Sequence, residues 1–396
     1  MTRLVSRSEP SSALRLGRRG VLLGLTATEL RRIATAFGLA LPQIAKGQVP
    51  ANSGVAGPCD PPSDGAAALT GQRRARLKRA LGSGFGVQYW GKSFTANHLA
   101  AAPHGVFIIE TAKIGASAPG NSREVLFSTE EIRQIGQDGR RPVLGYLNVA
   151  KIEPYRNYWV DALAARGGRD TLVQGDVPWI GPSLGPDGTL ARFWTPEWEA
   201  VLTDRVDHLL AQGVDGLFLD DVLQYFAYYT AVSEGRPGFA VQGGPVSAVD
   251  FANAMMTLVI AIANRVRRHD CTALVVVNNG AFIGRDAGAD PPGSLRQDRF
   301  DQYRSAIDGV LIESVFASGG DAAAISVLQQ EFASEGIPVL TIDFADAAAG
   351  VASADTRTAI AKLATREGFA AYVADDARFN RLYPPILTDQ AVPAGP

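Results

Sequence analysis

Eight short apolar runs, each followed by a loop and a helical stretch, recur along the chain from residue 84 onward. They read GVQYW (86–90), VFIIE (106–110), VLGYLN (143–148), GLFLD (216–220), LVVVNN (274–279), VLIE (310–313), VLTID (339–343) and AAYVA (370–374). Near-continuous apolar runs, rather than alternation, suit strands buried on both faces of a parallel sheet. Helix signals fall between them. Ser128 stands three residues before Glu131, a capping box ahead of Ile132 and Ile135. Thr195 precedes Pro196, an N-cap followed by proline at the first helical position, and Val201, Leu202, Val206, Leu209 and Leu210 then form an apolar stripe. A longer stripe (Phe251, Met255, Leu258, Val259, Ile262, Val266) reads as core. Eight strands with intervening helices predict an α/β fold, a single-domain (β/α)8 TIM barrel with long βα loops after strands 3 and 4. The alternative, a doubly wound open sheet, usually stops nearer five or six strands.

The ends of the 396-residue chain read differently. Residues 1–51 carry Arg18-Arg19 before a short apolar run and Arg31-Arg32 before a second, which resembles a twin-arginine export signal followed by small residues that could be cut. A disordered Arg-rich arm is the competing reading. No stretch approaches the ~20 apolar residues that cross a bilayer, so an exported, soluble barrel with no membrane span is expected. Residues 52–83 read as a linker and lead-in helix, and 84–396 as the barrel. The basic stretch from Arg73 to Arg79 has no interleaved aromatics, so it reads as a solvated helix face rather than a nucleic-acid patch.

Composition removes several chemistries. Net charge is −2, which argues against a nucleic-acid partner recognised through bulk charge. Two cysteines and four scattered histidines leave no four-ligand zinc site, and no metal or cofactor is expected. Cys59 could pair with Cys271 in an oxidising compartment.

One internal echo stands out. Asp215-Gly216 opens a run that closes on Asp220, and Asp308-Gly309 opens a matching run that closes on Glu313. In a barrel such closing positions lie on the C-terminal rim, where catalytic groups sit. Strands 4 and 6 are second neighbours, roughly 9–10 Å apart at a ~4.8 Å spacing. Inward-reaching side chains would bring the two carboxylates within the ~5–9.5 Å window of glycoside hydrolysis. Glu313 is then the expected acid/base, and Asp220 the nucleophile or base. Asp220, Glu313 and Asp343 as ligands of a divalent metal, and Lys151 as a Schiff-base lysine, are weaker readings. Aromatic residues crowd the loops after strands 3 and 4, as a sugar-binding cleft requires, although about half should simply pack those loops.

These motifs together are similar to glycoside hydrolase family 114, the endo-α-1,4-polygalactosaminidase group. The matching pieces are GYLNV (145–149), EPYRNYW (153–159), GVDGLFLD (213–220), Asn278-Asn279-Gly280, Asp308-Gly309 with Glu313-Ser314, and Ile342-Asp343-Phe344. The resemblance implies a (β/α)8 barrel, Asp220 and Glu313 as the catalytic pair, and a poly- or oligosaccharide containing galactosamine as substrate. The binding set expected around the pair is Tyr89, Glu110, Tyr146, Glu153, Arg156, Trp159, Tyr225, Asn279 and Asp343. Two positions depart from the family pattern: Ala150-Lys151 replaces a Gly-Glu pair, and Leu223 stands where an Asp is common. A non-catalytic glycan-binding barrel is the alternative function, separated from the first by whether Asp220 and Glu313 converge.

Overall fold

The computed structural model describes residues 63–114, 124–168, 171–185, 188–288, 298–317, 320–345 and 354–387. The expected export segment and Cys59 lie outside these residues. The barrel strands are β1 (Phe85–Gln88), β2 (Val106–Ile109), β3 (Val143–Asn148), β4 (Gly216–Asp220), β5 (Leu274–Asn278), β6 (Gly309–Glu313), β7 (Val339–Phe344) and β8 (Ala370–Ala374). They form one parallel sheet in sequence order, with helices in the connections. The sheet is nearly closed. Between β8 and β1 the Tyr372 hydroxyl donates to the Val87 carbonyl at 3.2 Å, and the Tyr89 N–H donates to Phe379 O at 2.9 Å.

Side-chain alternation splits the apolar residues into two layers. Leu144, Tyr146, Phe218, Leu274, Val276, Leu311, Leu340 and Ile342 fill the barrel interior. Val143, Leu147, Leu217, Leu219, Val275, Val277, Val310 and Val339 face the helices. Both layers are dry, which is why the runs are apolar at almost every position. The expected helix starts form as read: Ser128 and Glu131 make a reciprocal capping box, and Thr195 caps the helix Pro196–Ala211.

The helix Ser63–Leu81 corks the N-terminal end, and here the expectation of a solvated basic face fails. Leu77 is fully buried in the barrel interior, so close to β6 that a Cβ on Gly309 would lie 2.8 Å from it. Arg73 is buried and donates to Asp308 at 2.8 Å, and Arg76 pairs with Asp215. The arginines face inward because the opening residues of the two echoed runs supply their counter-charges. Each of those aspartates also accepts a backbone N–H from the start of the preceding strand: Asp215 from Val143 at 3.1 Å and Asp308 from Val275 at 2.9 Å.

The long loops after β3 and β4 build the other end. The first contains a three-stranded antiparallel ribbon (Lys151–Ile152, Thr189–Ala191, Ile180–Ser183), and the second contains the helix Gln224–Ser233. The next helix, Ala248–His269, corrects the expectation about apolar length. Over its 22 residues it is long and apolar enough to cross a membrane by composition alone. Its apolar stripe, from Phe251 to Val266, is buried in the layer between helices and sheet.

Candidate active site at the C-terminal rim

Strand parity decides which rim residues meet. With Phe218, Val276 and Leu311 inside the barrel, Asp220, Asn278 and Glu313, two residues further on, also point inward. The Asn278 amide nitrogen donates 2.7 Å bonds to both Asp220 Oδ1 and Glu313 Oε1. Those oxygens are therefore no more than 5.4 Å apart, twice that bond length. Two N–H bonds diverging at ~120° would set them about 4.7 Å apart.

Asp220 is buried, and its remaining bonds fix its orientation. Oδ1 also accepts the Asp221 N–H at 2.9 Å, and Oδ2 accepts the Tyr146 hydroxyl at 2.8 Å. Three donors on one carboxyl group fix its plane and direction. Glu313 is half-buried, and its backbone N–H donates to Asn279 Oδ1 at 3.2 Å. The residue after each inward group takes a left-handed backbone: Asp221 (φ 65°), Asn279 (φ 65°) and Ser314 (φ 61°). Such a turn is uncommon outside glycine. Three on adjacent strands end the strands just past the inward residues and turn the chain away from the mouth, an arrangement of backbone strain that clusters at functional sites.

Lys151, on the β3 loop, lies 3.4 Å from Asp221 Oδ1, and Asn148 donates to Asp221 Oδ2. The cation that departs from the family pattern is thus paired with an acid one residue away from Asp220.

The remaining expected residues divide sharply. Tyr89 and Tyr146 belong to the mouth, their ring centroids 4.7 Å apart. Glu110, Glu153 and Arg156 form a buried ion cluster beside it. Arg156 makes a bidentate pair with Glu110 (2.9 and 2.6 Å) and 2.8 Å bonds to Glu153 and Glu124. Burial raises the Glu153 carboxyl above its ordinary range despite the opposing pull of Arg156. The donors of Arg156 are spent on protein carboxylates, which makes it a support for the wall.

Three expected contacts are corrected. Asp343 faces outward, because Leu340 and Ile342 take the inward positions of β7; its Oδ1 accepts the Phe316 and Ala317 N–H groups at 2.6 and 2.8 Å. It ties down the β6 loop and cannot join Asp220 and Glu313 around a metal. Tyr225 is fully buried, with its hydroxyl donating to Asp286 at 2.7 Å. Trp159 is buried against Trp179. Trp159, Trp179, Phe193, Tyr225, Phe226 and Tyr228 are buried and Tyr155, Tyr158, Trp194 and Tyr229 half-buried, because the long loops need an apolar layer of their own. Asn279 holds the Glu313 backbone, and its neighbour Asn278 supplies the bridge. Sequence reasoning missed Asn278, although counting by twos from Leu274 reaches it.

Glycoside hydrolase family GH114 matches residues 121–384, about two thirds of the chain. The chain belongs to this family. An uncharacterized protein of Deinococcus radiodurans is 24% identical over 290 residues, covering 70% of this chain and 79% of its own. Among solved structures, the chain is similar to Aspergillus fumigatus Ega3 in complex with galactosamine (14% identity, TM-score 0.48, 77% of this chain and 95% of that one). It is also similar to the glycoside hydrolase domain of PelA from Pseudomonas aeruginosa (17% identity, TM-score 0.45, 76% and 96%). As a GH114 member the protein is a glycoside hydrolase, and its substrate is a carbohydrate.

Proposed function

We propose that this family 114 barrel cleaves an α-linked, galactosamine-containing glycan through Asp220 and Glu313. The observation that carries the reading is the Asn278 amide bridging the two carboxylates at 2.7 Å on each side. Retaining glycosidases hold their carboxyl groups ~5–5.5 Å apart, and inverting enzymes ~6.5–9.5 Å apart to admit a water between them. The close spacing here favours retention. Glu313 protonates the glycosidic oxygen while an Asp220 oxygen attacks the anomeric carbon; the bond from that carbon to the glycosidic oxygen breaks, the leaving sugar departs as an alcohol, and a glycosyl-enzyme ester remains. Glu313 then takes a proton from water, the water oxygen displaces Asp220, and both side chains return to their starting forms.

Charge supports an amino sugar. Asp220, Asp221 and Glu313 lie together at the rim, and Lys151 offsets one of them. An acidic mouth attracts a free amine and offers nothing comparable to an acetamide. The Arg18-Arg19 segment ahead of an apolar run supports export.

The test is incubation of the purified chain with deacetylated and with acetylated α-1,4-linked galactosaminoglycan, with mass analysis of the products. Shorter oligomers from the deacetylated polymer, absent with Asp220→Asn or Glu313→Gln, are expected. Tight binding without cleavage would leave the glycan-binding alternative. Retained activity of a full-length Arg18→Lys/Arg19→Lys chain in the cytoplasmic fraction, with wild type outside it, checks the export reading.

A further inference from the structure

We propose that Trp90 is the sugar-stacking platform of a distal subsite, across the barrel mouth from the catalytic pair; this rests on the hydrolase reading above. Trp90 is 43% exposed, whereas the other large exposed apolar side chains among the described residues are Val and Leu. Its ring is held in one pose. The indole N–H donates to Arg378 O at 2.8 Å, and the Trp90 carbonyl accepts the Gln88 side-chain amide at 3.1 Å.

The surrounding ledge is over-determined. Gln88 also donates to Asn380 O at 3.3 Å, and Gly91 (φ 121°) packs so closely that a Cβ would lie 1.9 Å from that oxygen. Phe379, in the same ledge, has a left-handed backbone at φ 49°. Closing the gap between β1 and β8 accounts for the hydrogen bonds, but it does not require an indole face turned to water. Leaving that face exposed costs apolar hydration. Rigid, wet aromatic faces beside a cleft are how proteins bind the apolar face of a sugar ring.

Place sets the occupant. β1 lies opposite β5, four strands away in either direction around the sheet. Eight strands at ~4.8 Å spacing and ~36° tilt make a barrel about 15 Å across. A pyranose spans roughly 5 Å along its chain at ordinary bond lengths, so no more than about three units separate Trp90 from the bond being cut. The Tyr89 ring, 5.1 Å from Phe379 and 4.7 Å from Tyr146, lines the route, and Tyr146 in turn bonds Asp220. The occupant is a later sugar of the same glycan strand.

The experiment is kcat/KM over a series of α-1,4-linked galactosamine oligomers from dimer to hexamer, for wild type, Trp90→Ala and Trp90→Phe. In wild type the hexamer-to-trimer ratio should be well above one. Trp90→Ala should lower that ratio about tenfold, and Trp90→Phe, which keeps a ring but loses the N–H, should hold it within about twofold while lowering the melting temperature. An unchanged ratio in Trp90→Ala beside an active wild type overturns the subsite alone. A wild-type chain that cleaves none of the oligomers overturns the hydrolase reading, and this inference with it.

Discussion

The two ends of the barrel use the same acids in opposite ways. At the N-terminal end, Asp215 and Asp308 are each met by arginine and by a backbone N–H of the preceding strand, and Asp308 has a second arginine, Arg267, at 3.1 Å. At the C-terminal end of the same two strands, Asp220 and Glu313 share the neutral amide of Asn278. A guanidinium neutralises a carboxylate and makes it structural. An amide orients it and leaves its charge available for chemistry. One repeated motif therefore carries an arginine-fastened acid at one end and an amide-held acid at the other.

The comparison can be broken most decisively at the rim. Asp220→Asn and Glu313→Gln should each lower kcat by at least about a thousandfold, with melting temperature within a few degrees of wild type; a large loss of stability with retained turnover would exchange the roles of the two ends. Next comes the bridge. Asn278→Ala should cost about a hundredfold in kcat, the order expected when reacting groups lose their alignment by about 1 Å, with a smaller change in KM.

At the opposite end, Asp308→Ala leaves Arg73 buried without its carboxylate. Urea unfolding should show a loss of about 3–5 kcal/mol, with kcat on the surviving folded fraction unchanged. A half-buried acid held by neither device sharpens the contrast. Burial pushes the Asp286 carboxyl up to about 6, against the pull of the Tyr225 hydroxyl and of Arg285. The folded state thus holds a proton that the unfolded state releases near the ordinary aspartate value of 3.8. This stability is fully present below about pH 4 and is lost as pH rises through about 6. Asp286→Asn should flatten that decline in thermal melts. The smallest effect belongs to Asp215→Asn, whose partly exposed pair with Arg76 should cost less than about 1 kcal/mol by the same urea assay.

The barrel was legible because each strand is buried on both faces, and the same fact hid part of the site. A run such as VLTID carries no alternation, so nothing local shows that Ile342 points in and Asp343 out. The convergence of Asp220 and Glu313 could be read because the two echoed runs share a register, which places them at equivalent positions whichever way they point. Asn278 follows from the same counting, but two adjacent asparagines offered no reason to prefer the first. Trp159 and Tyr225 were misread because aromatic loop composition does not distinguish a cleft lining from a loop's own core. The lead-in helix formed as expected, but the inward turn of Arg73 was not read, because its partner lies 235 positions away.

That distance has a consequence for biogenesis. Leu77 and Arg73 are synthesised early, yet the glycine and aspartate that receive them emerge only with β6. A nascent chain halted before that strand leaves the plug undocked, so the barrel cannot seal its lower end until most of the polypeptide has left the ribosome. Among the described residues, the leading helix is the first element made and among the last to be locked in place.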